Sequence, residues 1–334
     1  MTSPRENADA DGDRLLSPTV ETLLEDPEQF ETFFEGPTEG PLAVVGDPFA
    51  GREVVLDHAV ERLDATRVRL EPGDGVAPVR DAIGEGPVVV DDCQHLYRRV
   101  IDGFEPLEEF LGLLATTEDP LVAGWNRYAW SYLELVRELD QSFGRRADVG
   151  AVAAEQLAEL LLSRYDTVPE FAANETEHDR LFTVERYGVD LRGSRFSVPI
   201  PTPNLSVIHW RRADPTPEPR DVVFERLAAA ADGNLGVASA LWEVNRGDTI
   251  RPSELTTPTI DLTLDRTESF CLRILLAKER VQRAELVAIA DGDLDRILGR
   301  LRRAGIVTQS EGVVSLDPTR VPAVISNTDR SRIL

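Results

Sequence analysis

The sequence predicts an α/β protein: a domain built on a parallel sheet, then a helical segment, then a small unit of helices and a hairpin. Three observations predict it. Between residues 42 and 137, short apolar runs alternate with amphipathic ones, the pattern of strands joined by right-handed helical crossovers. The first of these strands runs into a turn marked by two glycines, in VVGDPFAGREVVL at 44–56. Residues 265–334 read as helix, short helix, helix and hairpin.

Each element follows from its residues. Ser17 and Pro18 have the N-cap and first-turn chemistry that starts an amphipathic lead-in helix over 17–35. LAVVG at 42–46 is a buried strand, and REVVLDHAVERL a helix with Val54, Val55, Ala59 and Leu63 to one side. TRVRLEP is a second strand, VAPVRDAIGEG a short helix, and PVVVDD a strongly apolar third strand. FEPLEEFLGLLATTE is helical, PLVAGWN a fourth strand, and SYLELVRELD a short helix. VGAVAAEQLAELLLSRY is again helical. Residues 168–220 are rich in proline, arginine and turn formers, and only LSVIHW reads as a strand. Two helices follow, separated at Asp232-Gly233-Asn234, where glycine is a natural helix stop. In the last unit Glu311-Gly312 is a hairpin signal. Its order of elements is that of a winged helix, with Leu294, Ile297, Leu298 and Leu301 as a buried face.

Composition narrows the class. The 334 residues suffice for two or three domains, and 42% apolar content builds a real core. The net charge is −24, from 60 acidic and 36 basic residues, and Lys278 is the only lysine. Acidity with lysine almost absent points to a high-salt, halophilic cytoplasm, where surface carboxylates keep a chain hydrated. It does not by itself indicate a basic partner. Cys93 and Cys271 make no disulfide framework. The polar, acidic first residues, read as disordered over 1–15, are unlike a signal peptide. No run is long enough to insert in a bilayer, so the expected location is cytoplasmic. His58, His95, His178 and His209 show no metal-ligand spacing with the cysteines.

The glycine turn raises the functional question. Gly46 and Gly51 enclose Asp47, Pro48, Phe49 and Ala50, and Arg52 and Glu53 follow at the helix start. Backbone N–H groups and a helix N-terminus converging on such a turn can cradle a phosphate. The same spacing also serves an ordinary strand–turn–helix. Asp91 and Asp92 lie just past an apolar strand, where strand ends in a parallel sheet face the ligand crevice. Asp91 there could hold Mg²⁺ and Asp92 could orient an attacking water. Asn126 ends the fourth strand, in reach of a γ-phosphate or water.

In order and spacing, GDPFAGRE, VVVDD and LVAGWN resemble the Walker A, Walker B and sensor motifs of P-loop ATPases of the AAA+/STAND kind. The helix ending near Arg164 and the Gly-Asn turn before an Ala/Trp helix resemble their helical lid, and those relatives often close with a winged helix. The resemblance covers roughly 40–165 and 220–334. It implies a P-loop NTPase-like parallel sheet with helical lid and C-terminal winged-helix domain. It implies ATP and Mg²⁺ as ligands, Gly46 to Glu53 as the nucleotide loop, Asp91 at the metal, and Asp92 and Asn126 in catalysis. The corresponding divisions are a tail and lead-in at 1–35, the α/β domain at 36–165, an insertion and lid at 166–262, and the winged helix at 263–334.

The departures weigh against hydrolysis. Arg52 stands where a lysine is expected, and a planar fork does not replace a point charge in a tight loop. Glu53 puts a carboxylate where Mg²⁺–ATP needs a hydroxyl, and Asp47 adds negative charge. Glu53 could pair with Arg52 or bind Mg²⁺ itself, so a nucleotide site and its relic both stay open. From 266 to 334 there are 12 basic and 9 acidic residues, a locally basic unit on an acidic chain. Arg296, Arg300, Arg302 and Arg303 could meet DNA, although Asp291, Asp293 and Asp295 stand at the start of the same helix, and a winged helix that contacts protein, in a partner or in this chain, fits the unit equally. Two readings result. One is a regulatory nucleotide-binding protein or pseudo-ATPase, with a protein partner and an oligomer in view. The other is a winged-helix DNA-binding regulator whose α/β domain is structural or dimerising.

Overall fold

The computed structural model describes residues 18–35, 40–164, 167–173, 182–191, 194–203, 217–255, 258–260, 262–290 and 294–330. The expected disorder over 1–15, the expected strand LSVIHW, and Asp291 and Asp293 lie outside these residues. Two short helices, α1 (Val20–Leu23) and α2 (Pro27–Glu31), replace the single lead-in helix, because Asp26 and Pro27 start a new helix. The Asp26 carboxylate accepts from the Gln29 N–H, the role of an N-cap.

The α/β unit runs β1 (Leu42–Gly46), α3 (Arg52–Leu63), β2 (Thr66–Arg69), α4 (Ala77–Ala82), β3 (Val88–Asp91), α5 (Glu105–Leu114), β4 (Leu121–Asn126), α6 (Arg127–Arg137) and β5 (Arg145–Asp148). The five strands form one parallel sheet in the order β2-β3-β4-β1-β5. Side chains alternate between its faces, as a pleated strand requires. Leu42, Val44, Val89 and Val122 pack with α3 on one side. Ala43, Val45, Val90, Ala123 and Trp125 pack with α4, α5 and α6 on the other. The edge strand β5, of sequence RRAD, is short and charged and gives no apolar signal.

Helix α7 (Ala154–Leu162) and strand β6 (Glu170–Phe171) follow. The backbone then forms a hairpin of β7 (Phe182–Leu191) and β8 (Ser194–Pro203). Helices α8 (Pro219–Ala231) and α9 (Leu235–Asn245) are broken at Asp232 and Gly233, whose φ values of 53° and 68° are left-handed. Strand β9 (Thr249–Ile250) pairs with β6.

The last unit comprises α10 (Arg266–Lys278), β10 (Arg280–Gln282), α11 (Arg283–Ile289), α12 (Leu294–Arg303), β11 (Val307–Ser310), β12 (Val313–Leu316) and α13 (Val321–Arg330). Its three strands pair in the order β10-β12-β11. The hairpin turns at Glu311-Gly312, both with positive φ, as a two-residue hairpin turn demands. Leu294, Ile297, Leu298 and Leu301 are buried as expected, and they belong to the cluster that holds α3 and the first face of the sheet. Among the described residues, no helix is long and apolar enough to cross a membrane.

Candidate functional site

The carboxyl ends of β1, β3 and β4 meet where the chain reverses direction across the sheet, the usual place for a ligand crevice. Strand β1 ends at Gly46 and the loop turns through Phe49 (φ 65°) and Gly51 (φ 90°) into α3. The Ala50 N–H donates to the Asp47 carbonyl and closes the turn at 3.1 Å. The start of α9 sits on this loop. The Gly236 N–H donates to the Phe49 carbonyl and the Asn234 amide to the Pro48 carbonyl, each at 2.9 Å. A Cβ on residue 236 would lie 2.3 Å from the Phe49 oxygen, so only glycine allows the approach.

Arg52 turns into the protein. It is 6% exposed, with Nη2 2.7 Å from Asp92, Nε 3.5 Å from Asp91 and Nη1 3.6 Å from Glu279. Space for it comes from Gly124 on β4, where a Cβ would lie 2.6 Å from Leu56 and 3.3 Å from Arg52 Nε. Each aspartate has a second arginine: Arg67 Nη2 is 2.9 Å from Asp91, and Arg69 Nε 3.2 Å from Asp92. Asp92 also accepts from Gln94 at 2.8 Å and lies 3.7 Å from Arg280. Burial opposes the charge of Arg52, but Glu279, Asp91 and Asp92 outweigh it and hold the guanidinium firmly charged. Burial raises the Glu279 carboxyl above its usual range, and Arg52 opposes that shift.

Asn126 is fully buried and its hydrogen bonds are taken. Its side-chain carbonyl caps α6 by accepting from the Tyr128 N–H. Its amide donates to the Leu276 carbonyl at 2.9 Å and to Glu279 at 3.0 Å. Asp47 pairs with Arg127 at 3.1 Å, and Glu53 lies exposed on the first turn of α3. The fold thus brings Asp91, Asp92, Asn126 and Arg52 into one cluster, and leaves Asp47 and Glu53 outside it.

Three consecutive charged residues bring the C-terminal unit onto this crest. Lys278 is 2% exposed, pairs with Glu285 at 2.8 Å and donates to the Tyr97 carbonyl. Glu279 reaches Arg52 and Asn126 from a backbone at φ 61°, uncommon for a residue with a side chain. Arg280 reaches Glu71 at 3.1 Å, and Gln282 donates to the Pro72 carbonyl. His95 is buried beneath, and burial followed by the charges of Lys278, Arg280 and Arg52 pushes its pKa well below the usual imidazole value.

This arrangement does not fit a magnesium nucleotide. A cation at Asp91 would have to displace Arg52 and Arg67, and a phosphate would find the Arg52 charge already taken by three carboxylates. Among the described residues, no group of three or more His, Cys, Asp or Glu is placed to hold a metal ion. Sequence reasoning missed Glu279, Arg280, Arg67 and Arg69. The one signal available was Lys278, the lone lysine beside Glu279 and Arg280.

The arginines of α12 divide. Arg300 bonds both carboxylate oxygens of the fully buried Glu268, at 2.8 and 2.9 Å, and the Thr263 carbonyl at 2.9 Å. Arg296, Arg302 and Arg303 are exposed, with Arg296 Nη2 3.9 Å from Asp265.

No family model matches the chain, and no curated protein matches it significantly. Among solved structures, a point mutant of RuvB from Thermotoga maritima is 14% identical with a TM-score of 0.41, over 92% of this chain and 98% of that one. Cdc6p from Pyrobaculum aerophilum is 14% identical with a TM-score of 0.36, over 98% of each chain. A STAND protein with a tetratricopeptide repeat sensor from Pyrococcus horikoshii is 12% identical with a TM-score of 0.37, over 92% of this chain and 43% of that one.

Proposed function

We propose that the chain is a regulatory pseudo-ATPase of the AAA+/STAND type, whose P-loop-like crest serves as a dock for its own C-terminal unit. The observation that carries this reading is Arg52: the residue in the phosphate-lysine position is buried and bound by Asp91, Asp92 and Glu279. A charge engaged inside the protein is not available to a nucleotide, and releasing it would leave three carboxylates short of a partner. In this reading residues 36–165 are a degenerate α/β scaffold, 166–262 an insertion and lid, and 263–334 a winged helix. Regulation is exchange between docked and undocked positions of the winged helix, two arrangements of preformed bodies.

The DNA-binding alternative keeps support from the exposed Arg302 and Arg303, while Arg300 is held by Glu268 and Arg296 lies by Asp265. Calorimetry with ATP and Mg²⁺ in molar KCl, with phosphate release measured alongside, tests the leading reading. Neither binding nor turnover is expected of the intact chain. Micromolar binding, or turnover that Arg52→Ala abolishes, would reject it.

A further inference from the structure

Strands β7 and β8 pair from Phe182 against Pro203 through to Leu191 against Ser194, and among the described residues they make a sheet of two strands. Such a ribbon is marginally stable at best alone, and further strands or a packed helix are what secure one. Its two outer edges differ, and the backbone fixes the difference.

Proline stands at 199, 201 and 203, every second residue of β8. A proline has no N–H to donate into a ladder, so within a sheet its nitrogen lies on the outer side. Main-chain groups along a strand alternate between its two edges. Pro199, Pro201 and Pro203 therefore all turn to the outer edge of β8, which lacks a donor at each of them. Proline on an edge strand closes that edge to further pairing.

The register carries this to β7. Phe182, Val184 and Arg186 stand opposite Pro203, Pro201 and Pro199. In an antiparallel pair, residues directly opposite turn their N–H and C=O groups the same way, both into the ladder or both out of it. The main-chain groups of Phe182, Val184 and Arg186 thus face outward, and by alternation so do those of Gly188 and Asp190. None of these is proline. β7 presents a complete row of donors and acceptors, and among the described residues no second strand takes it.

We propose that β7 pairs antiparallel with the β7 of a second copy of the chain, giving a four-stranded sheet in the order β8-β7-β7-β8. The geometry of the edges selects this occupant. A two-fold axis perpendicular to the sheet sets even-numbered residues opposite even-numbered ones, so every outward group meets an outward group. Both outer edges of the product are β8 edges closed by proline, so pairing stops at two copies, whereas a foreign strand would leave a new open edge. Charge leaves registers for it. Centring on Glu185 or Arg186 would set like charges directly opposite, but centring on Tyr187 or Gly188 does not. Those two registers form about six to eight main-chain hydrogen bonds. Two chains of net charge −24 repel, and because the Debye length falls to about 3 Å at 1 M salt, the dimer should tighten as KCl rises.

The test is sedimentation equilibrium of the full-length chain in molar KCl across the micromolar range, where the wild type should be a dimer. Arg186→Pro removes an outward donor from each copy and leaves the β7–β8 ladder its bonds, so it should raise the dissociation constant at least about tenfold. Arg186→Ala keeps the donor, and Ser197→Pro alters the edge that is already closed; both should dimerise as the wild type does. Circular dichroism checks that the proline variants are folded. Hydrogen exchange of the wild type gives a readout free of any variant: peptides spanning 182–191 should lose protection on dilution. The inference is overturned if the wild type is monomeric, if folded Arg186→Pro dimerises like the wild type, if Arg186→Ala dissociates the dimer, or if exchange over 182–191 is independent of concentration. None of these results depends on ATP binding, so this inference and the pseudo-ATPase reading stand or fall separately.

Discussion

Deleting the Arg52 side chain isolates the main interaction of the crest. In Arg52→Ala, Asp91 keeps Arg67, and Asp92 keeps Arg69, Gln94 and the more distant Arg280. Glu279 loses its guanidinium and keeps only the Asn126 amide. Removing one partner of a buried ion pair costs roughly 3–5 kcal/mol, and the retained arginines argue for the lower end, about 3 kcal/mol. An arginine directed at an absent ligand would instead cost about 0–1 kcal/mol, as an exposed pair does. A double-mutant cycle with Glu279→Ala separates the pair from general damage. Contacting residues couple by about 0.5–3 kcal/mol, and a charge pair this buried belongs in the upper half. The assay is denaturant unfolding followed by tryptophan fluorescence, since Trp125, Trp130 and Trp242 are buried in the two halves of the core. Additive single mutants, or an Arg52→Ala variant as stable as the parent, would refute the reasoning.

Other outcomes follow from the same contacts. His95 has a pKa depressed by burial and by nearby cations, so its contribution to stability is present above the ordinary imidazole pKa and is lost as pH falls below it. The wild type should lose up to ~1.4 kcal/mol per pH unit below about 6.5 from this group, and His95→Gln should show a flatter acid limb in unfolding at stepped pH. Gly236→Ala should cost about 1–3 kcal/mol by overpacking against the Phe49 carbonyl, and hydrogen exchange should show the 47–51 loop loosened. Arg300→Ala should cost about 3 kcal/mol by taking the guanidinium from the buried Glu268, which keeps the Asp265 N–H, whereas Arg303→Ala should change stability by under about 0.5 kcal/mol; thermal melting compares them.

The sheet was legible because buried strands in a parallel sheet are apolar throughout, and β1, β3 and β4 are buried at every residue. The break between α8 and α9 was legible because Asp232 and Gly233 carry the helix stop in local chemistry. β5 and β10 were not, one being charged and the other three residues long, and both are strands only by pairing. The candidate site divides in the same way. The loop, the aspartates and Asn126 follow from strand ends and spacing. What Arg52 does was hidden, because Glu279 meets Asn126 across 153 residues of chain, a contact that only the tertiary arrangement creates. The departure at Arg52 was visible as a substitution, while its partners were not.

The most direct test of docking uses the only lysine. Lys278 belongs to the docked unit, is buried with its ammonium paired to Glu285 of the same unit, and donates across the contact to the Tyr97 carbonyl. Its rate of acylation by an amine-reactive ester, followed by peptide mass spectrometry in high salt against a free lysine derivative, reports exposure of the crest. The docked arrangement predicts strong protection, unchanged by ATP and Mg²⁺ and lost in Arg52→Ala. Labelling of the wild type at the free-amine rate, or protection that ATP and Mg²⁺ remove, would contradict it.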